Sequence, residues 1–366
     1  MEQHKGKIGL REYISIVILI IGTKLADDTP AILFQKLSNA AWMVPLFNGL
    51  LAIIPIFLLF KVYSYYPNRN LMDIIQIVFG RWFGFLIVLL LWLAGLLITV
   101  LDSAIYTDII GTMYFTKTPN PILYFILMAV SAYGAKKGLE QIGSVATSVI
   151  IYIKVSLLIA LILTLKKGNL SYLFPIFGPG KWEIVKESSL KLAIFSDFLY
   201  LGALLPFIRT FKDFKKGTWI SLAILIIEFP LAMIAYISIF DFQTVQLLNY
   251  PFHESIRYIS LGFLTNLETF FFPFWLVASF VRFSVYLYIS AILFGWLFKI
   301  KNFEYIIPTL AAIIAVLGMI PETPTFMVEA IKAKTANFFT PAFFFLPLFL
   351  WVIAKLRGGS HHGQKS

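Results

Sequence analysis

Apolar residues run along this chain in ten blocks separated by short polar segments, at 11–36, 41–62, 82–116, 121–135, 143–165, 190–208, 217–240, 267–298, 303–320 and 337–356. Most blocks reach the roughly 20 residues a helix needs to cross the hydrocarbon core. The pattern therefore predicts an all-α integral membrane protein with ten transmembrane helices. The fourth block is short, while the third and eighth are long enough to tilt strongly or to project past the bilayer.

Two blocks are interrupted. Residues 20–30 read IIGTKLADDTP inside an oily stretch. At mid-bilayer Lys24, Asp27 and Asp28 would cost about 2.5–3.5 kcal/mol each. Such groups must pair, face a wet cavity or lie on broken backbone. Lys24 is three residues from Asp27 and four from Asp28, within pairing reach on one helix. Gly22 is a weak helix residue, and Pro30 forbids a continuous hydrogen-bond ladder. Thr29 and Pro30 read as the N-cap and first residue of a new half-helix, whose free amides would point into the protein.

About half a chain later, FSDFLYLGALLP over 195–206 repeats the theme, with Ser196 and Asp197 ahead of Gly202 and Pro206. An interrupted helix opening each set of five spans is the pattern of a 5+5 inverted repeat with broken helices 1 and 6, the LeuT-like arrangement, with its ligand site between the breaks near the midplane. The chain is then one permease-like domain over 1–357, with repeats over about 9–165 and 188–357. The plainer alternative is that Pro30 and Pro206 only end helices, with their acids near an interface. The ligand-binding candidates are Gly22, Thr23, Asp28 and Thr29 at the first break, Tyr106 in the third span, and Ser196 and Asp197 at the second break.

Composition agrees with a membrane protein: 59% of residues are hydrophobic and 13% charged, against about 25% charged in soluble domains. The net charge of +11 reads as basic loops rather than a nucleic-acid surface. With both termini on one side, more of the basic residues fall on that side, which places the termini in the cytoplasm. No cleavable signal peptide is expected, and the tail 358–366, GSHHGQKS with its flanking glycine, reads as disordered. The absence of cysteine excludes disulfides and thiolate sites.

Other charges lie in oil. Asp102 and Tyr106 share a helical face; Asp108, nearer the outer end, is expected to be solvated. Lys154 stands alone in VIIYIKVSLLIALIL; it is either a fixed charge where a coupling sodium would sit in related folds or the partner of an acid. Glu228 precedes Phe229 and Pro230. Glu268 and Arg282 are about 21 Å apart along one helix and so do not pair. Lys24, Asp27, Asp102, Lys154, Glu268 and Arg282 are the coupling or ion-pair candidates. His253 is expected to be exposed in a loop. No HExxH or GxSxG motif and no compact set of His and acids is present, so neither an enzyme nor a cofactor or metal site is expected.

Five blocks carry a resemblance: AYGAKKGLEQIG with Gly138-Leu139-Glu140, YLFPIFGPG over 172–180, LLPFIRTFKDFKKG over 204–217, NLETFFFPFW over 266–275, and IPETPTFM over 320–327. In order and spacing the chain resembles the spore germination permeases, the B subunits of germinant receptors in spore-forming Firmicutes, within the amino acid–polyamine–organocation superfamily. Glu268 and Trp275 match family positions. Asn266 and Gly143 stand where many members have Arg, and the charged first break replaces a Gly-rich neutral one. The resemblance implies a membrane subunit that binds a small germinant, commonly an amino acid, with A and C partner subunits in the spore inner membrane. A proton-coupled amino acid symporter is the alternative. The acidic first break favours an amine, or a zwitterion held by its amine, unless one Asp titrates.

Overall fold

A computed structural model describes residues 6–67, 69–259, 267–320 and 331–357. Asn266, residues 321–327 of the IPETPTFM block and the tail 358–366 lie outside them. Among the described residues all regular structure is helical. In chain order the helices are α1 (Leu10–Gly22), α2 (Thr29–Leu37), α3 (Met43–Tyr65), α4 (Leu71–Phe79), α5 (Arg81–Ile109), α6 (Asn120–Lys137), α7 (Leu139–Lys167), α8 (Lys181–Leu190), the single turn α9 (Asp197–Tyr200), α10 (Phe211–Thr244), α11 (Pro251–Tyr258), α12 (Leu267–Leu297), α13 (Ile307–Gly318) and α14 (Ala333–Leu356).

Six described helices are long and apolar enough to cross a membrane, and the bent pair 181–190 and 192–207, which meets at 44°, makes seven. The protein is therefore a multi-pass membrane protein. α1 and α2 are each too short to span because the first break divides them.

α12 sits at the centre, packed on α1, α5, α6 and α7, while α1 also packs on α7 and α10. One flank is built from α3, α10 and α14 and the other from α5, α6 and α13. α4 was not anticipated. Asn70 caps it by accepting the Asp73 amide at 2.7 Å, and its apolar face packs on α5.

The first break has a local cause. The Thr23 hydroxyl donates back to the carbonyls of Leu19 and Ile20, at 2.9 and 3.2 Å, which competes with the helical ladder. A 3₁₀ turn over Thr23–Leu25 follows. Pro30 then lies in the first turn of α2, where its missing N–H costs nothing. Thr29 is not the cap, as the sequence suggested. Asp28 is the cap residue, and the Asp27 carboxylate just before it accepts the Thr29 amide at 2.7 Å.

The second break is a run of short turns: 3₁₀ over Leu192–Phe195, α9, then 3₁₀ over Leu201–Phe207. Its end is tied to the chain's start by a parallel bridge. The Ile8 amide donates to the Phe207 carbonyl at 2.9 Å, and the Arg209 amide to the Ile8 carbonyl at 3.0 Å. Gly202 lets this segment approach α3, since a Cβ there would overlap the Tyr63 hydroxyl. Gly202→Ala is expected to destabilise the protein by about 1–3 kcal/mol, the usual cost of overpacking. Tyr63→Phe in the same chain should restore most of the loss in thermal unfolding.

Candidate functional site

The charges that looked unaffordable in a membrane helix converge on one buried network. Arg282 of α12 is completely buried. One arm of its guanidinium pairs with Asp102 of α5. The other donates to the Thr23 hydroxyl at 3.0 Å and the Tyr106 hydroxyl at 2.9 Å, with the second oxygen of Asp27 at 3.6 Å. The rings of Tyr106 and Tyr286 flank the guanidinium, their centroids 5.2 and 5.3 Å away. The planar fork thus joins the first break to α5, a geometry that an ammonium could not reproduce. The Tyr106 hydroxyl also donates to the Thr23 carbonyl at 3.2 Å, and the Tyr106 ring stacks on Trp275 at 5.1 Å.

Lys332, just ahead of α14, enters the same network. Its ammonium pairs with Asp28, lies 3.0 Å from Asp102 and 3.7 Å from Asp27. Lys24 does not pair with Asp27 or Asp28, as helical spacing had suggested. The 3₁₀ turn swings it away, across to the second break, where it pairs with Asp197 and donates to the Ile194 carbonyl at 2.8 Å. The Tyr286 hydroxyl donates to the other oxygen of Asp197 at 2.6 Å. Lys24–Asp197 therefore binds the two breaks directly to each other. Around this site four carboxylates (Asp27, Asp28, Asp102, Asp197) meet three cations (Lys24, Arg282, Lys332). The second oxygen of Asp28 has no hydrogen-bond partner among the described residues.

Beside the network lies a cavity of about 110 Å³, walled by both breaks, α5, α12 and the start of α14. Lys24, Thr29, Asp102, Ser196, Asp197 and Lys332 are on its wall. Gly22, Thr23, Asp28 and Tyr106 are not; they stand behind it, where Thr23 and Tyr106 hold Arg282 and Asp28 holds Lys332. Lys191 also lines the cavity. Its ammonium rests on the amide oxygen of Asn337 at 3.0 Å and makes no ion pair with a described acid. The hydroxyl of Tyr200, another wall residue, is anchored on the Leu91 carbonyl at 3.0 Å.

Lys154 is paired, with Glu228 of α10. The pair sits against the end of α1: a Cβ on Gly22 would lie 3.3 Å from the Lys154 ammonium. Glu268 pairs with Arg257 at 2.8 Å, well away from Arg282. Two expectations of exposure fail. Asp108 is half-buried and accepts the Tyr250 hydroxyl at 2.5 Å. His253 is buried in α11, its Nδ1 2.7 Å from the Tyr114 hydroxyl, and desolvation pushes its pKa down to about 3, which keeps it neutral. The amphipathic turn of α11 folds onto α12 and carries the ring inward.

Lys332 and Lys191 are the residues that sequence reasoning missed; neither stood among the site candidates. A signal for Lys332 existed. The intramembrane acids outnumber Lys24, Lys154 and Arg282, and a cation from a flanking segment lowers the cost of burying them.

A model of the spore germination protein family, the spore permeases, matches residues 12–327. Spore germination protein KB of Bacillus subtilis strain 168 is 24% identical over 368 residues, which cover 96% of this chain and 95% of that protein. Spore germination protein YndE of the same organism is 21% identical over 330 residues, covering 88% and 89% of the two chains. Spore germination protein GerLB of Bacillus cereus is 22% identical over 324 residues, covering 87% and 86%.

Proposed function

The chain belongs to the spore germination permease family, and on that premise we propose that it is the membrane subunit of a germinant receptor, binding an amino acid between its two breaks and thereby triggering germination. The observation that carries this reading is the cavity itself. Both interrupted segments wall a cavity next to an acid-rich network, with a cation on the same wall that makes no ion pair with a described acid. A cavity of about 150 Å³ holds a benzene-sized group, so a space of about 110 Å³ suits a small ligand. An ammonium group would meet Asp197 and Asp102, supplying the positive charge that the four carboxylates lack. The ligand carboxylate would meet Lys191.

In this reading the chain has ten spans arranged as a 5+5 inverted repeat, with both termini cytoplasmic and its place in the spore inner membrane. It works with the receptor's A and C subunits, holds no cofactor and is not an enzyme. The bridge between Ile8 and Ile208, which places the start of the chain beside the exit of the second break, supports the repeat.

The test is thermal unfolding of the purified full-length protein with each of the twenty common amino acids. A selective ligand raises the melting temperature by mass action. Asp197→Asn is expected to weaken it by about tenfold or more. A shift left intact by Asp197→Asn, or one produced equally by simple carboxylates without an amine, would count against the site.

A second reading, a proton-coupled amino acid symporter, is favoured by one observation. The Lys154–Glu228 pair packs against the end of α1, where a coupling charge would sense the first break. Proteoliposomes separate the two: uptake of the stabilising amino acid driven by a pH gradient, and abolished by Glu228→Gln, would establish the symporter.

A further inference from the structure

A second cavity lies apart from the first, at the end of the bundle where Ile8 bridges Ile208. It has a volume of about 760 Å³ and opens between the start of α5, the exit of the second break and the end of α12. Three cations stand on it: Arg81, the first residue of α5, and Lys299 and Lys301, just beyond α12. None of the three forms an ion pair with a described acid. Asp73 on the neighbouring α4 accepts the Trp296 indole at 2.8 Å. Below the cations the walls are apolar, with Trp82, Phe85 and Leu297, and Asn70 and Gln76 add uncharged polar groups.

Two further observations mark the place. Trp82 and Phe83 are 82% and 71% exposed, an aromatic pair at a helix start that belongs at the membrane–water boundary. Lys299 has φ 56°, a left-handed conformation that glycine adopts freely and lysine does not. The turn is closed by the Ile300 amide donating to the Gly295 carbonyl at 2.8 Å, and it sets Lys299 and Lys301 on the same cavity as Arg81.

Cations that pair with no described acid, over largely apolar walls, at the boundary level of a membrane protein, complement one ligand chemistry: a phosphodiester headgroup with the first methylenes of its chains. We propose that this groove is a binding site for an anionic phospholipid. Pro206 and Phe207 form part of its wall, so the bound lipid braces the exit of the second break. Membrane composition then acts on the segment that carries Ser196 and Asp197.

The experiment is native mass spectrometry of the full-length protein in detergent, titrated with phosphatidylglycerol and with phosphatidylcholine. Phosphatidylglycerol should bind at least tenfold more tightly. A surface cation is worth about fivefold in affinity for an anionic lipid. The triple variant Arg81→Gln, Lys299→Gln, Lys301→Gln should therefore lose the preference. The variant Lys212→Gln, Lys215→Gln, Lys216→Gln, which removes the same charge from the start of α10, should keep it. Should the triple variant fail to fold, Lys301→Gln alone is expected to show about a fivefold loss. Equal binding of the two lipids, a preference that survives the triple variant, or equal loss in both triple variants would overturn the site. Inorganic phosphate that competes away the lipid at equal concentration would overturn the lipid as its occupant.

Discussion

Arg282→Met is expected to cost about 3–5 kcal/mol, enough to lower the melting temperature by on the order of 10 °C or to remove the folded protein altogether. The reason is desolvation rather than the loss of one attractive pair. Arg282 is completely buried, and its two arms hold Asp102 on one side and Thr23, Tyr106 and Asp27 on the other. Without it the carboxylates of Asp27 and Asp102 stay in the interior with Lys332 as the shared cation. Arg282→Lys should rescue poorly, because a single ammonium cannot reach Asp102 of α5 and the first break at once. Adding Asp102→Asn to Arg282→Met should recover more than half of the loss, because the stranded charge goes with it. Fluorescence-detected size exclusion and thermal unfolding read both results. A single variant as stable as the parent would show that the network does not hold the first break in place.

Lys332→Gln is expected to have the other large effect, again on folding. Its ammonium clamps Asp28 at the first break to Asp102 on α5. Removing it leaves the site two charges short of balance instead of one. Breaking one partner of a buried charge pair costs about 3–5 kcal/mol, so the melting temperature should fall by on the order of 10 °C. Asp28→Asn in the same chain restores the balance and should return much of the stability. Thermal unfolding of each variant tests this. A Lys332→Gln variant as stable as the parent would show that Lys332 does not clamp the first break.

Much of the site could be read from the chain because the cost of charge in oil is a local property. Lys24, Asp27 and Asp28 had to be satisfied somewhere, and Pro30 had to interrupt the helix, whatever the rest of the protein did. The same reasoning marked Asp102, Arg282, Lys154 and Asp197. It could not choose partners. Lys24 lies within helical reach of Asp27 and Asp28, yet it pairs with a residue 173 positions away. A 3₁₀ turn changes the direction of a side chain, and that turn owes its shape to Thr23 bonding backward and Asp27 bonding forward.

His253 and Lys332 show the other limit. Both belong to segments whose composition reads as loop. A short segment takes its burial from the surface it folds against, and α12 and the first break are that surface.

The sequence by itself determined that this is a helical membrane protein, that two of its spans are interrupted, and that its intramembrane charges are the groups with work to do. Each of these follows from transfer free energies and backbone chemistry that act within a few residues. Only the tertiary structure decided that Arg282 and Lys332 share the acids of the first break. It alone joined the two breaks through Lys24 and Asp197, and put Thr29 and Ser196 on the cavity wall with Asp28 and Tyr106 behind it. Ion pairing in a low-dielectric interior depends on distances of a few ångströms between helices, and those distances are set by how the helices pack.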